Sequence, residues 1–294
     1  MMNFKKILFA GFALLAASCS NESEEIVVKE QAPVRVHVEG FKVSQESFAR
    51  ATRAADLSSV SAIGAITLAF YSGDTEEYKA TQVKGSLAEG ETFGDFSLSL
   101  PMGSHTMVVV AYLSKEGSPF VYTSATEAAY TGEHAYETFN ATKTVTINSK
   151  DTVDVSAELN RIVSMLTVIS SDGKTANASN VRMTFSGGSR SFNPSTGIAT
   201  DNEGFNNTVG ISASVGATST SITCLFLTAD EQTMDVTIET LDALGNTLFS
   251  QKVENVPFRR NRKTKLTGAM YSNAKIGGSF KVNTEWLDEE TVSF

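Results

Sequence analysis

Residues 153–169, VDVSAELNRIVSMLTVI, contain two strand patterns separated by the polar pair Asn160-Arg161. From Val153 to Leu159, apolar residues alternate with polar ones, which is typical of a strand with one face on a core and the other in water. Residues 162–169 are more continuously apolar, as the central strands of a sandwich are. The stretch therefore predicts two successive strands, the second beginning soon after the first ends.

Similar patterns extend over the rest of the chain, separated by clusters of Gly, Asn, Asp and Ser. In one example, Thr67 and Ala69 alternate with larger apolar residues and are expected to face water. Only 54–62 and 125–136 look briefly helical. Strand runs without regular helices between them predict an all-β protein with about a dozen or more strands.

A dozen or more strands are too many for a single seven-stranded sandwich. We therefore place an N-terminal β-sandwich domain at 34–158 and a C-terminal one at 159–294, divided where the alternating pattern ends. No Pro-rich or Ser-rich linker lies between them, which favours close packing. No internal repeat is recognisable in the sequence.

The N-terminus has the layout of a secretory signal peptide over residues 1–18. Two lysines precede the apolar run ILFAGFALLAA at 7–17, which is far shorter than the roughly 20 residues of a membrane-spanning helix. The sequence AASC at 16–19 resembles the lipobox of bacterial lipoproteins. This resemblance implies acylation of Cys19 by fatty acids such as palmitate, and attachment to the outer membrane. The alternative is an ordinary signal peptide followed by an incidental cysteine.

Residues 19–33 form a tether whose first part, SNESEE at 20–25, is polar and acidic. Low hydrophobicity and like charge keep such a segment solvated. An acidic segment directly after the cysteine also resembles the export signal that sends lipoproteins of some Gram-negative anaerobes to the cell surface. We expect a surface-exposed lipoprotein of the outer membrane.

Charge and cysteine content exclude several classes. The chain has 24 Lys and Arg against 33 Asp and Glu, a net charge of −9. Loss of the signal peptide with its two lysines leaves 22 against 33, or −11, which argues against nucleic acid as a partner. Only two cysteines are present, and lipidation of Cys19 leaves Cys224 without a disulfide partner. Cys224 lies in an apolar, strand-like run, where a cysteine behaves as a small hydrophobic residue.

Candidate catalytic and metal-binding residues are scarce in the sequence. His37, His105 and His134 are scattered without ligand spacing, so we predict no metal site. No Gly-x-Ser-x-Gly turn is present, and Asp201–Gly204 lacks the spacing of a calcium-binding loop. The single tryptophan, Trp286, is too little aromatic surface for a typical carbohydrate platform. We predict no enzyme activity and no cofactor.

Three segments carry a specific similarity. They are VRVHVEGFKV at 34–43 with RATRAA at 50–55 behind it, AELNRIV at 157–163, and RKTKLTGAMY at 262–271 ahead of a closing strand. Taken with the lipoprotein start, they resemble the fimbrillin family, the subunits of type V pili and their relatives. The resemblance implies two β-sandwich domains of transthyretin-like topology.

The resemblance also implies assembly with other pilin subunits by strand addition. A trypsin-like protease cuts after Arg53, or after Arg50, and the first strand then leaves the sandwich. C-terminal residues of a neighbouring subunit, from 279–285 onward, fill the vacated place. The resulting fimbrium supports adhesion, with a host or bacterial surface receptor as a further partner. The valines expected in the displaced strand are Val34, Val36 and Val38.

Alternatives remain open. Residues 34–43 could stay as a permanent edge strand, with Arg50 and Arg53 in an exposed loop, and the subunit could be a stalk, anchor or tip component. From other classes, the alternatives are a surface glycan-binding lipoprotein of a nutrient-uptake system and a secreted hydrolase.

Overall fold

A computed structural model describes residues 30–39, 57 and 60–272, together with the backbone of 281–286. Cys19, Arg50 and Arg53 lie outside these residues, as do the signal peptide and nearly all of the tether, so the expectations about them stay predictions. In the described part of the chain there is no α-helix, and therefore none long and apolar enough to cross a membrane.

The described residues form twenty strands. The first ten are β1 (Gln31–Glu39), β2 (Ala65–Ser72), β3 (Thr75–Val83), β4 (Asp95–Pro101), β5 (Gly103–Tyr112), β6 (Phe120–Ser124), β7 (Glu127–Tyr130), β8 (Thr138–Ile147), β9 (Val153–Glu158) and β10 (Asn160–Arg161). The others are β11 (Ser164–Ser170), β12 (Asn180–Phe185), β13 (Ser191–Asn193), β14 (Ile198–Ala199), β15 (Phe205–Gly210), β16 (Thr220–Leu225), β17 (Glu231–Leu241), β18 (Thr247–Arg259), β19 (Arg262–Gly268) and β20 (Lys281–Trp286). The predicted all-β class is confirmed.

Strands of the N-terminal half build a sandwich of two sheets. One sheet has the strand order β4-β1-β9, and the other has the order β10-β8-β5-β2-β3. A hydrophobic core formed by residues between 32 and 159 lies between them, with Phe70, Leu100 and Phe139 fully buried. Apolar residues at every second position of β1 and β9 supply one side of this core.

Strands of the C-terminal half build a second sandwich. Its sheets have the orders β16-β11-β19-β20 and β15-β12-β17-β18. Its core draws on residues between 166 and 270, among them Val236, Phe258 and Leu266. The chain therefore carries two separate sandwich cores, which confirms the two-sandwich fold; the boundary between 158 and 159 stays a prediction.

The two sandwiches repeat one topology. In the first, β1 pairs antiparallel with β4 and parallel with β9; in the second, β11 pairs antiparallel with β16 and parallel with β19. The facing sheets also correspond, since β2 lies between β3 and β5 as β12 lies between β15 and β17. One difference is β20 beside β19, because no described strand pairs with the outer edge of β9. The C-terminal strand thus occupies a position that has no counterpart among the described strands of the first sandwich.

A smaller sheet of order β14-β13-β7-β6 joins the two halves, since its strands come from both. It covers the outer face of β2 and β5 and forms a third core with Phe192 and Phe226. Thr67 and Ala69 are therefore buried, and the expectation that they face water was wrong. The helix suggested over 125–136 was also wrong, because this stretch contains β7, which pairs with β6 and β13.

Arg161 ties the halves together at their junction. Its guanidinium forms an ion pair with Glu137 at 2.9 Å, with both side chains mostly buried, and donates to Asn261 Oδ1 at 3.3 Å. The same group lies 5.1 Å from the centre of the Phe139 ring. Because Asn261 follows the junction and the other two partners precede it, Arg161 helps to fix how the sandwiches pack.

Candidate functional site

The candidate site is β1 and the place that it occupies. β1 is the middle strand of its sheet: Val36, for example, lies opposite Phe96 of β4 and Val155 of β9. The alternative of an edge strand was therefore wrong for residues 34–39; residues 40–43 lie outside the described part. Removal of β1 would leave a gap between two strands, each with an unpaired row of backbone N–H and C=O groups.

The inner face of β1 is dry. Val34, Val36 and Val38 are 0%, 1% and 2% exposed and, with Ala32, pack into the N-terminal core. Burial of one such valine contributes about 1.5–3 kcal/mol. The valines and two hydrogen-bond ladders hold β1 in place, so a cut elsewhere in the chain does not by itself release the strand.

The outer face of β1 is exposed to solvent. The exposed residues alternate with the buried ones and are Gln31, Pro33, Arg35 and His37. His37 Nδ1 contacts Asp95 Oδ1 on β4. Both side chains are about half exposed or more, 65% and 48%, and such surface pairs contribute little to stability. The strand is therefore held by its inner face and its ladders, and its departure would uncover apolar surface on one side only.

The chain that follows the predicted cleavage region is anchored in the same core. Leu57, Val60 and Ile63 are buried among the residues that β1 covers. A cut at Arg53 would thus separate β1 from a segment that stays attached to the sandwich from Leu57 onward. These anchors were not predicted from the sequence, because their only signal is the spacing of three apolar residues.

Gly94 closes the end of the β1 site. Its carbonyl accepts the Val38 N–H at 2.9 Å, and its φ is +98°, in the region that favours glycine. A Cβ here would lie 3.0 Å from Leu57 Cδ1 and 3.3 Å from the Val38 carbonyl oxygen. The close approach of β1 to the start of β4 therefore requires glycine.

The predicted donor region contains β20, which pairs antiparallel with β19 in its own sandwich. β20 is the outermost strand of its sheet, with hydrogen-bonded neighbours on one side only among the described residues. It is held by one ladder where β1 is held by two. Trp286 is the last residue of this strand.

The other residues singled out in the sequence do not converge. His37 lies on β1, His105 is buried on β5 with Nε2 2.8 Å from the Pro101 carbonyl oxygen, and His134 follows β7. Burial raises the pKa of the Cys224 thiol to about 12, which keeps it protonated. Within the described ranges, no group of three or more His, Cys, Asp or Glu side chains could hold a metal ion.

Comparison with known proteins gives a family and a fold. A family described as a family of unknown function (DUF6562) matches residues 34–293, while a search of curated proteins found no match. The fimbrial anchor protein Mfa2 from Porphyromonas gingivalis has a similar structure, with a TM-score of 0.52, 9% identity, and coverage of 86% of this chain and 97% of that chain.

Two further solved structures are similar. A candidate adhesin from Bacteroides ovatus has a TM-score of 0.53 and 10% identity, covering 86% of this chain and 93% of its own. A protein from Bacteroides thetaiotaomicron described as polysaccharide-binding (DUF1812) has a TM-score of 0.50 and 8% identity, covering 88% and 99%. At such identities the likeness concerns the fold. Because the family match spans most of the chain, this protein belongs to the family of unknown function DUF6562.

Proposed function

We propose that this protein is a structural subunit of a bacterial surface fimbrium, assembled by strand exchange after proteolysis, and that it supports cell adhesion. The observation that carries the proposal is β1: a central strand with one buried face, placed just ahead of the arginines at 50 and 53. The fold shared with a fimbrial anchor protein supports it.

Cleavage and departure are separate steps in this mechanism. Hydrolysis of the peptide bond after Arg53, or after Arg50, frees β1 from the chain that continues to Leu57. The ladders and the buried valines still retain the strand. A competitor must offer the same backbone pairing to β4 and β9 and its own apolar side chains at alternate positions. That competitor is the C-terminal strand of a neighbouring subunit, which in its own sandwich has a hydrogen-bond ladder to one described strand only.

The same proposal covers localisation and partners. Acylation of Cys19 would hold the precursor in the outer membrane at the cell surface, and cleavage after Arg53 would then detach a stalk subunit from its lipid. An anchor subunit would keep both the lipid and β1. Other pilin subunits are the main partners, and a host or bacterial surface receptor would be contacted by the finished fimbrium.

The test is assembly of the purified precursor after limited trypsin treatment. With Lys42→Gln in both proteins, because trypsin also cuts after lysine, we expect the parent protein to form oligomers and Arg50→Ala/Arg53→Ala protein to stay monomeric after the same treatment, as measured by size-exclusion chromatography with light scattering. Deletion of 279–294 should abolish assembly and leave the N-terminal sandwich folded. Equal assembly of the double variant and the parent would show that cleavage at these arginines is not the trigger.

The second candidate is a surface glycan-binding lipoprotein, favoured by the similarity to a structure described as polysaccharide-binding. Calorimetric titration with polysaccharides from the organism's growth medium separates the two candidates. Saturable binding by uncleaved, monomeric protein, together with no assembly after trypsin, would favour the glycan-binding function.

A further inference from the structure

Asp172 makes an unusual set of contacts just after β11. Its carboxylate accepts hydrogen bonds from three consecutive backbone N–H groups: Met270 at 2.8 Å, Tyr271 at 2.9 Å and Ser272 at 2.8 Å. These residues follow the end of β19. Charge-assisted hydrogen bonds of this kind are about twice as strong as neutral ones.

Other contacts hold the same short segment. Thr240 Oγ1 donates to the Met270 carbonyl oxygen at 2.8 Å, the Met270 side chain is fully buried in the C-terminal core, and the Tyr271 hydroxyl bonds to Ser219. Residues 270–272 are thus fastened to three different parts of the sandwich. We call this segment with Asp172 the terminal clamp.

β20 is held differently. Among the described strands it pairs with β19 alone and forms the edge of its sheet, whereas β19 also pairs with β11 and contributes Leu266 to the core. Loss of β20 would expose one edge of β19. Without β20, β19 could separate from β11 in turn, and the sheet would then unzip strand by strand. The terminal clamp lies between the end of β19 and the start of β20.

We propose that Asp172 is a positioning residue that stops this unzipping, so that β20 can leave while β19 and the C-terminal core stay folded. Its use in assembly rests on the proposed function, because a donor strand has to leave its own sandwich without unfolding it. The physical claim itself concerns a single chain and can be tested without assembly.

The experiment is hydrogen exchange with mass spectrometry on uncleaved monomers that retain or lack residues 273–294. In the otherwise unchanged chain, the deletion should free only the β19 amides that face β20, about every second one, and should leave the amides that face β11 and those of 269–272 protected. With Asp172→Ala in addition, exchange of these protected amides should rise about 10- to 100-fold, as loss of charge-assisted hydrogen bonds predicts. Asp172→Asn keeps the side-chain size and one acceptor oxygen, and is the second variant if the alanine protein does not fold.

Asp242 provides a matched control. Its carboxylate also accepts backbone N–H groups, from Leu244 at 2.9 Å and Asn246 at 2.8 Å, but in the turn between β17 and β18. Asp242→Ala with the deletion should leave the β19 amides that face β11 protected. The proposal is overturned if the deletion alone removes the protection of the β19 amides that face β11, or if the Asp172 variants exchange no faster than the Asp242 control. Either result leaves the assembly experiment with the arginine variants unaffected, so the two ideas fail separately.

Discussion

Val36→Ala tests how β1 is retained. Val36 is 1% exposed and lies between Phe96 and Val155 on the neighbouring strands. The substitution removes two methyl groups, worth about 0.8 kcal/mol each in transfer free energy. The cavity left in a packed core brings the expected loss of stability to about 2–3 kcal/mol. This corresponds to roughly a 30- to 150-fold weaker hold on the strand, at about 1.4 kcal/mol per factor of ten.

The assay follows the N-terminal fragment after limited trypsin treatment. With the bond after Arg53 cut, β1 remains bound by its ladders and valines, and its release can be measured by separating the fragment on a desalting column over time. We expect β1 to be released from the Val36→Ala protein up to about 30- to 150-fold faster than from the parent. Urea unfolding of the uncut protein should show a lower midpoint with an unchanged slope.

His37→Thr is the control on the same strand. His37 faces water, and its contact with Asp95 is exposed, so the change should cost less than about 1 kcal/mol. Equal release rates for the parent and the Val36→Ala protein would refute the claim that the inner face retains β1. A His37→Thr protein that releases β1 as fast as the Val36→Ala protein would refute it as well.

Three further outcomes are expected. Metabolic labelling with a fatty acid should mark the parent protein and not Cys19→Ala; equal labelling would remove the lipid anchor from the account. Gly94→Ala should destabilise the N-terminal sandwich by about 1–3 kcal/mol more than Gly90→Ala in urea unfolding, because both have positive φ but only Gly94 also meets close neighbours. Burial by itself would raise the pKa of Asp172, but the three backbone hydrogen bonds hold this pKa below its usual value. The stability difference between the parent and Asp172→Asn should therefore be full at neutral pH and shrink as the pH falls below about 4; a difference independent of pH would contradict this role.

The sequence predicted the strands with one dry face well. In β1, strict alternation of valines with polar residues indicates the inner and outer faces without knowledge of the neighbours. The same signal cannot show which strands flank β1, because pairing with β4 and β9 joins residues about 60 and 120 positions away. The strand was therefore recognised while its central position was missed.

The covering sheet and the terminal clamp were not predictable for related reasons. Thr67 and Ala69 look like solvent-facing residues, but both are buried, and Ala69 lies in a cluster to which distant strands of the smaller sheet contribute. The stretch around Glu127 has residues typical of helices, but tertiary pairing overrides that preference. Asp172 stands in a Ser-Asp-Gly sequence that indicates a turn, and nothing local shows that its carboxylate meets a segment about 100 positions later.

The central claim, that β1 is removed by cleavage at the arginines and replaced in a fibre, is tested most directly by the N-terminal sequence of the protein recovered from cell-surface fimbriae. A stalk subunit assembled by strand exchange should begin at Ala54, or at Ala51 if Arg50 is the cleaved residue. Fibre-bound protein that begins at an acylated Cys19 and still contains residues 31–39 would contradict the claim.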